Sequence, residues 1–414
     1  MTRVLSIKLS TDKLWFGLLM LYIASGYLAQ DVLLPASLNQ LAMYAFLGFS
    51  LFLILLRGKA KLNTIILWEL LCLGLAFVAM LYGPEFSIVG GTYYVLIVNF
   101  ILIFIFAQMP WDEKRFTMVM KTYVFSAVVL IAVLAATGNL EDQSESGRLG
   151  QELTGNANIL AMMLMVSAMY GIWLLVSSKG TGFKLLVLAA VVLIYIGMFL
   201  SGGRKYIVVP IVFAYILLLN SRDKKGRKHI IRNTLLIIAV VILVYQVIMK
   251  VPFFYESIGN RFEGFFGLFD DGHKMDNSTL LRKEMIEAAF ERWLDSPLWG
   301  FGFDSFKHYN AAEVTGHMYY SHNNFTELLY NQGLIGFVGY YGLYVWLLRS
   351  AMKKTISSQN RGFILGAVFS ILAFEYFGIT YSATPAQFLL FFCYYRLKSD
   401  AVVDSKGAGK KTVA

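Results

Sequence analysis

Apolar stretches close to the length of a membrane span recur along this chain, and they leave it few ways to fold. Twelve can be read: 14–29, 38–56, 64–82, 89–107, 117–137, 157–177, 183–200, 206–219, 233–249, 325–347, 362–380 and 384–397. A crossing needs about 20 apolar residues as a helix, and hydrocarbon forces every backbone polar group to bond inside its own segment. Composition agrees. The 414 residues are 57% hydrophobic, with mean hydropathy +0.61 and only 15% charged, against about 25% in soluble domains. A globular core cannot hide that much apolar surface. The expected fold is therefore an all-α polytopic integral membrane protein of about twelve transmembrane helices. Residues 1–398 would form one transmembrane domain and 399–414 a disordered cytoplasmic tail.

The net charge of +10 does not indicate nucleic acid, because the basic residues flank apolar runs. Arg3, Lys8, Arg57, Lys61, Lys114, Arg115, Lys179, Arg222, Lys225, Arg349, Lys354, Arg361, Arg396 and Lys410 all fall on one alternate set of connections. Positive loops stay cytoplasmic, so both termini are expected inside. The opposite short loops are neutral or acidic, as at Glu141, Asp142 and Glu145. The run 14–29 has a basic start like a signal peptide. Tyr27 and Leu28 before Ala29 make a poor cleavage site, so it reads as an uncleaved first span. Cys72 and Cys393 lie in apolar stretches and provide neither a disulfide framework nor zinc spacing.

One extracytoplasmic connection is long, 250–321, and loops of that length are usually functional. Within it, Ser278 to Leu294 has helical periodicity. Leu281, Met285, Ile286, Ala289, Phe290 and Trp293 share one half of the wheel. Arg282 sits inside that apolar half. Two readings fit it: a side chain snorkelling out of an interfacial helix, or one turned toward the membrane body to meet an anion. Pro297 should stop the helix, and Gly300 and Gly302 should loosen the chain beyond it. Asp270, Asp271, His273 and Asp276 read as a turn cluster. Arg261 is a further possible anion contact.

Ser201-Gly202-Gly203-Arg204-Lys205 joins two spans on the outside, where three of the short loops have no basic residue. Arg204 at a lipid surface needs a counter-charge or a ligand. An arginine fork matches phosphate oxygens, although lipid phosphate would satisfy it as well. Tyr319-Tyr320-Ser321-His322-Asn323-Asn324-Phe325 ends the long loop and opens an apolar helix. A histidine there could cap the helix or remove a proton from an acceptor near pH 7. Asn323 could orient its ring, and Tyr319 and Tyr320 could stack on sugars. The spacings of His273, His308 and His317 from His322 do not suit a zinc site.

His322-Asn323, nine residues on from which stands Gly333-Leu334-Ile335-Gly336, resembles the signature of the O-antigen ligase and O-antigen polymerase superfamily. Ser296-Pro297-Leu298-Trp299-Gly300-Phe301-Gly302 resembles the segment before that histidine, and Arg204 and Arg282 stand where the family places two important arginines. The detailed resemblance covers roughly 157–347. It implies an inner-membrane glycosyltransferase, inverting and without metal or other cofactor. The donor would be a glycan on undecaprenyl diphosphate, exposed at the periplasmic or outer face. The acceptor would be a glycan, for a polymerase of O-antigen or capsule, or lipid A-core or a protein, for a ligase. A chain-length regulator is a possible partner. The resemblance gives Arg204 and Arg282 to the diphosphate and His322 to the acceptor hydroxyl; Lys205, Arg261, Asn323, Tyr319 and Tyr320 would support binding. The wording around Arg204 and His322 leans toward a polymerase. A different class, a solute transporter, would use Glu69, Glu327 and Glu375 as proton relays. Against it, the polar residues cluster at one face and no pair of broken helices is evident.

Overall fold

A computed structural model describes residues 10–29, 34–136, 149, 157–220, 227–251, 255 and 277–409, the last nine by backbone alone. Among the described residues every regular element is helical. In chain order these are α1 Thr11–Leu28, α2 Ser37–Arg57, α3 Thr64–Met80, α4 Thr92–Gln108, α5 Glu113–Ala136, α6 Ala157–Ser177, α7 Thr181–Leu200, α8 Arg204–Asn220 and α9 Arg227–Lys250. They continue with α10 Asn277–Trp293, α11 Phe306–Tyr309, α12 Asn324–Ala351, α13 Ser358–Glu375 and α14 Thr384–Gly409. Each predicted apolar segment overlaps one of them. Among the described residues α2, α5, α6 and α7 are long and apolar enough to cross a membrane, and α3 and α4 are shorter apolar helices. The chain is thus a helical membrane protein. Arg261, His273 and the aspartates of the predicted turn cluster lie outside the described residues, as do Glu141, Asp142 and Glu145.

Two seams set the position of everything at the functional end. In the first, α8 lies along α13. The sequence Gly362-x-x-x-Gly366-x-x-x-Ser370 presents small residues at helical spacing, which lets backbones approach. A Cβ on Gly362 would come within 3.3 Å of the Leu217 carbonyl oxygen, and one on Gly366 within 3.2 Å of that of Phe213. Ser370 Oγ donates to the Val209 carbonyl at 3.3 Å. The start of α8 is thereby fixed beside the end of α13, where Lys205 Nζ donates to the Phe377 carbonyl at 2.6 Å.

The second seam is a break. α12 is two helices joined across a kink at Gly333, whose φ of 63° lies in the left-handed region. Residues 297–302 form a strap against the break. Phe301 N–H donates to the Tyr330 carbonyl (2.8 Å), Gly302 N–H to that of Asn331 (3.0 Å), Leu334 N–H to that of Pro297 (2.9 Å) and Ile335 N–H to that of Leu298 (3.3 Å). Main-chain groups freed by the break thus find partners, as a buried backbone requires. Side chains have no room there. A Cβ on Gly300 would sit 2.4 Å from the Tyr330 oxygen, and one on Gly333 2.3 Å from the Leu298 oxygen. The glycines expected to loosen this segment instead lock it, because only they allow the two backbones to touch. The strap is tied on to α3 by Phe303 N–H donating to the Ala79 carbonyl at 3.1 Å and by Tyr82 Oη donating to that of Trp299 at 2.6 Å.

At the other end the predicted inner-side cations meet acids. Asp12 bonds Arg57 at 3.1 Å and lies 3.6 Å from Arg115, while Arg396 grips Glu113 with both terminal nitrogens, at 2.6 and 3.0 Å. α14 continues as helix through Gly409, so the tail expected to be disordered from Ser399 is helical to that point. Asp400 already belongs to the packed structure, accepting from Ser357 N–H and Oγ at 2.9 Å each.

Candidate active site at the mouth of the bundle

The loop into α12 is built so that one side chain is left over. Ser321, Asn323 and Asn324 are buried. Ser321 N–H donates to Glu327 Oε2 at 2.7 Å, and Ser321 Oγ to the Asn323 carbonyl at 3.0 Å. Asn323 caps α12, its Oδ1 accepting from Phe325 and Thr326 N–H at 2.9 and 3.1 Å, and its Nδ2 donates to the Tyr376 carbonyl at 3.1 Å. Asn324 Oδ1 accepts from Thr380 and Tyr381 N–H at 2.9 and 3.1 Å, and its Nδ2 reaches Tyr341 Oη at 3.0 Å. The two asparagines therefore clamp the 376–383 loop to the start of α12. His322, just before them, is only half-buried and has φ of 60°, a region non-glycine residues rarely occupy. Strain of this kind persists only where the surroundings enforce it, and it gathers at functional sites.

Below the histidine runs a polar spine inside the first half of α12. Glu327 Oε1 accepts from Asn331 Nδ2 at 2.9 Å, and Asn331 Oδ1 accepts from Ser305 and Phe306 N–H at 3.1 and 3.0 Å. The spine joins the histidine loop to the end of the strap. Glu327, singled out in the sequence as a possible relay, holds the loop's backbone.

Around His322 the chain gathers rings and cations. The Tyr320 ring lies 4.4 Å from it, centroid to centroid. Arg282 and Lys205 are near enough to act on it electrostatically. Burial is the larger influence, and with these two cations it pushes the imidazole down from its ordinary value to about 3. The ring is thus neutral at pH 7. Lys205, besides its bond to Phe377, lies over the rings of Phe374 and Tyr206 at 4.5 and 5.2 Å. Arg204 is half-buried at the first position of α8, next to Lys205.

Arg282 is exposed on α10. That helix buries Met285 and Ala289 against Phe306 and Tyr330, and leaves Leu281 and Phe290 exposed. Its end is fixed by Arg292, which pairs with Asp295 at 2.5 Å and lies 5.0 Å over the Phe301 ring. The strap thus carries α10 as well as α12, and brings Arg282 to the histidine.

Of the residues expected at the site, His322, Tyr320, Arg282 and Lys205 come together. Asn323 is beside them, with both arms of its side chain engaged in the cap and in Tyr376 rather than turned to the His322 ring. Tyr319 is exposed two residues before Ser321, its ring 5.4 Å from that of His317. The exposed Tyr376 and Phe377, in edge contact at 4.8 Å, were not foreseen; nothing in their local sequence separates them from interfacial aromatics. Among the described residues no three His, Cys, Asp or Glu side chains group as a metal-binding set.

No curated protein matches the chain closely enough to stand as a relative. A family model described as O-antigen ligase matches residues 188–341. That stretch holds α8, α10, the strap, His322 and the break at Gly333, and over it the chain is similar to that family.

Proposed function

We propose that this mouth transfers a glycan from undecaprenyl diphosphate to an acceptor hydroxyl on the outer face of a bacterial inner membrane, both chain termini being cytoplasmic. The observation that carries the reading is the neutral His322 held in a strained backbone beside Arg282 and Lys205. A sugar diphosphate has its leaving group already activated. Transfer then needs two things: charge stabilised on the departing diphosphate, and a proton removed from the acceptor. Arg282 and Arg204, with Lys205 behind them, supply the first through charge-assisted hydrogen bonds. His322 supplies the second. The acceptor oxygen bonds to the anomeric carbon from the face opposite the diphosphate, the carbon–oxygen bond to phosphate breaks, and the acceptor proton passes to the imidazole. One displacement inverts the anomeric centre, and the guanidinium groups do the work a metal would otherwise do.

The depressed imidazole fits this sequence of events. A base held near pH 3 is weak in the free enzyme. Bound diphosphate brings negative charge beside the two cations that help to depress it, and so raises its basicity when the donor is in place. Tyr320 and Tyr376 offer exposed rings for sugars beside the histidine. Residues outside the described set, such as Arg261, add to the anion site in this reading.

The acceptor is taken to be a growing O-antigen or capsular glycan, which makes the protein a polymerase working beside a chain-length regulator. The description of the matching family favours the second reading, a ligase delivering to lipid A-core. Transfer from a lipid-linked donor by the purified protein tests the chemistry. Arg282→Ala and Arg204→Ala should each lower it about 10- to 150-fold, with poor rescue by Lys. His322→Ala should abolish it and EDTA should leave it intact. Undiminished transfer by Arg282→Ala would overturn the diphosphate assignment. In a deletion strain, single repeats on core would mark a lost polymerase, and polymer stranded on its lipid carrier a lost ligase.

A further inference from the structure

The loop that backs the mouth begins at a buried carboxylate. Glu375, the last residue of α13, is fully buried, and its Oε1 accepts from the hydroxyls of Tyr344 (2.8 Å), Tyr340 (3.2 Å) and Thr380. None of these partners is a cation. A carboxylate without one is costly in a bundle core, where a packed apolar side chain costs less. What this one adds is direction. Its partners stand on the second half of α12 and on the 376–383 loop, so it fastens both to the end of α13. The bond from Thr380 closes the loop at its neck.

Residues of the site grip the loop so closed. The carbonyls of Tyr376 and Phe377 accept from Asn323 Nδ2 (3.1 Å) and Lys205 Nζ (2.6 Å), and the N–H groups of Thr380 and Tyr381 donate to Asn324 Oδ1 at 2.9 and 3.1 Å. The path from Glu375 to the histidine is therefore short. It runs through the hydroxyl and then the N–H of Thr380 to Asn324, two residues beyond His322. Tyr341 supports the same asparagine from the other side. Asn324 Nδ2 donates to Tyr341 Oη at 3.0 Å although 17 positions separate them, and the Phe325 ring stacks on that of Tyr341 at 5.1 Å. A straight helix would put such residues about 25 Å apart. The first half of α12 therefore folds back toward the second at Gly333, and brings the His322 turn to the Glu375 cluster.

We infer that Glu375 is a positioning residue of the site, acting through Thr380 and Asn324 to hold the His322 turn in its left-handed conformation. It touches no substrate and moves no proton. Its effect on transfer rests on the reaction proposed above; its hold on His322 does not.

Modification of neutral imidazoles by diethyl pyrocarbonate, read by mass spectrometry on the full chain in detergent, tests that hold residue by residue. In Glu375→Ala the turn should relax and the His322 labelling rate rise about 2- to 12-fold, the equivalent of one lost hydrogen bond. His308 on α11, which pairs with Glu85 at 3.2 Å, should keep its wild-type rate. Glu375→Gln keeps an oxygen for the hydroxyls and sets its amide where, among the described residues, Oε2 takes no donor; it should stay near wild type. Should Glu375→Ala fail to fold, Thr380→Val, which removes the hydroxyl and keeps the N–H to Asn324, should raise the His322 rate alone. An unchanged His322 rate in the folded variant, or equal rises at His322 and His308, would overturn the inference. In the transfer assay Glu375→Ala should lose rate on the order of 100-fold, and Glu375→Gln should recover most of it. Wild-type turnover in Glu375→Ala would also overturn the role. Transfer absent from the wild type would sink the proposed reaction and leave the labelling result standing.

Discussion

The α8–α13 seam and the strap–α12 seam both serve the mouth of the bundle, and they tolerate disturbance differently. Along α8–α13 two unbroken helices approach through small residues, and a Cβ on Gly366 would stand 3.0–3.3 Å from its neighbours. Neighbours at that range can yield by a few tenths of an ångström. Between strap and α12 the backbones themselves touch, and a Cβ on Gly300 or Gly333 would stand 2.3–2.8 Å from main-chain atoms. Main chain fixed by hydrogen bonds on both sides cannot yield. The first seam places Lys205 and the second places both His322 and Arg282, so the less forgiving seam carries more of the site.

The largest effect should come from breaking the rigid seam. Gly300→Val adds a branched side chain to a residue with φ of 70° and to a contact with no room. We expect a loss on the order of 3 kcal/mol or more, read as collapse of the monodisperse detergent-extracted protein on size exclusion. Gly366→Leu, overpacking the forgiving seam, should cost about 1–3 kcal/mol. It should lower Tm and reduce donor affinity through Lys205, while Gly366→Ala stays near wild type. Equal damage from Gly300→Ala and Gly366→Ala would erase the distinction between the seams.

A smaller change sharpens the comparison from within. Glu327→Gln turns an amide donor onto either the Ser321 or the Asn331 donor, and should cost about 1–3 kcal/mol. Because the spine joins the histidine loop to the strap, kcat should fall more than Tm alone would suggest. Asn323→Asp keeps the helix cap and loses the donor to Tyr376, for about 0.5–1.5 kcal/mol. Differential protection of the 376–383 loop in hydrogen exchange would report it.

How far the sequence carried this account depends on what kind of contact was at stake. The apolar segments and the α10 helix were legible because burial leaves a periodic trace. His322, Arg282 and Lys205 could be picked out because charged and polar groups stand out against apolar surroundings. The break at Gly333 could not, since Leu334-Ile335-Gly336 continues the apolar run of 325–347 and reads as one span. Nor could the strap, whose bonds are all main chain and leave no mark on side-chain pattern beyond the glycines. Two signals were present and unread. Glu327 and Asn331 share a helix face at i, i+4 spacing, the mark of an internal polar spine. Gly362, Gly366 and Ser370 repeat at the interval of close helix contact.

A further expected effect is in pH. His322 titrates near 3 when folded and near 6.5 when unfolded. The unfolded chain therefore binds the extra proton first, and stability should fall as pH drops from about 6.5 toward 3. His322→Gln should flatten that part of a Tm–pH curve. In activity, the acid limb of kcat/KM, which reports the free enzyme, should lie below that of kcat, which reports the donor complex. In Arg282→Ala both limbs should move only slightly upward, since burial is the main cause of the shift.

The central claim is a division of labour in one mouth, with cations for the diphosphate and the imidazole for the acceptor. Equilibrium binding of the lipid diphosphate-linked donor to His322→Ala and to Arg282→Ala, each in detergent and without acceptor, tests it most directly. The account predicts wild-type donor affinity in His322→Ala and affinity weakened about 10- to 150-fold in Arg282→Ala. Equal affinity in the two variants, or a loss confined to His322→Ala, would contradict it.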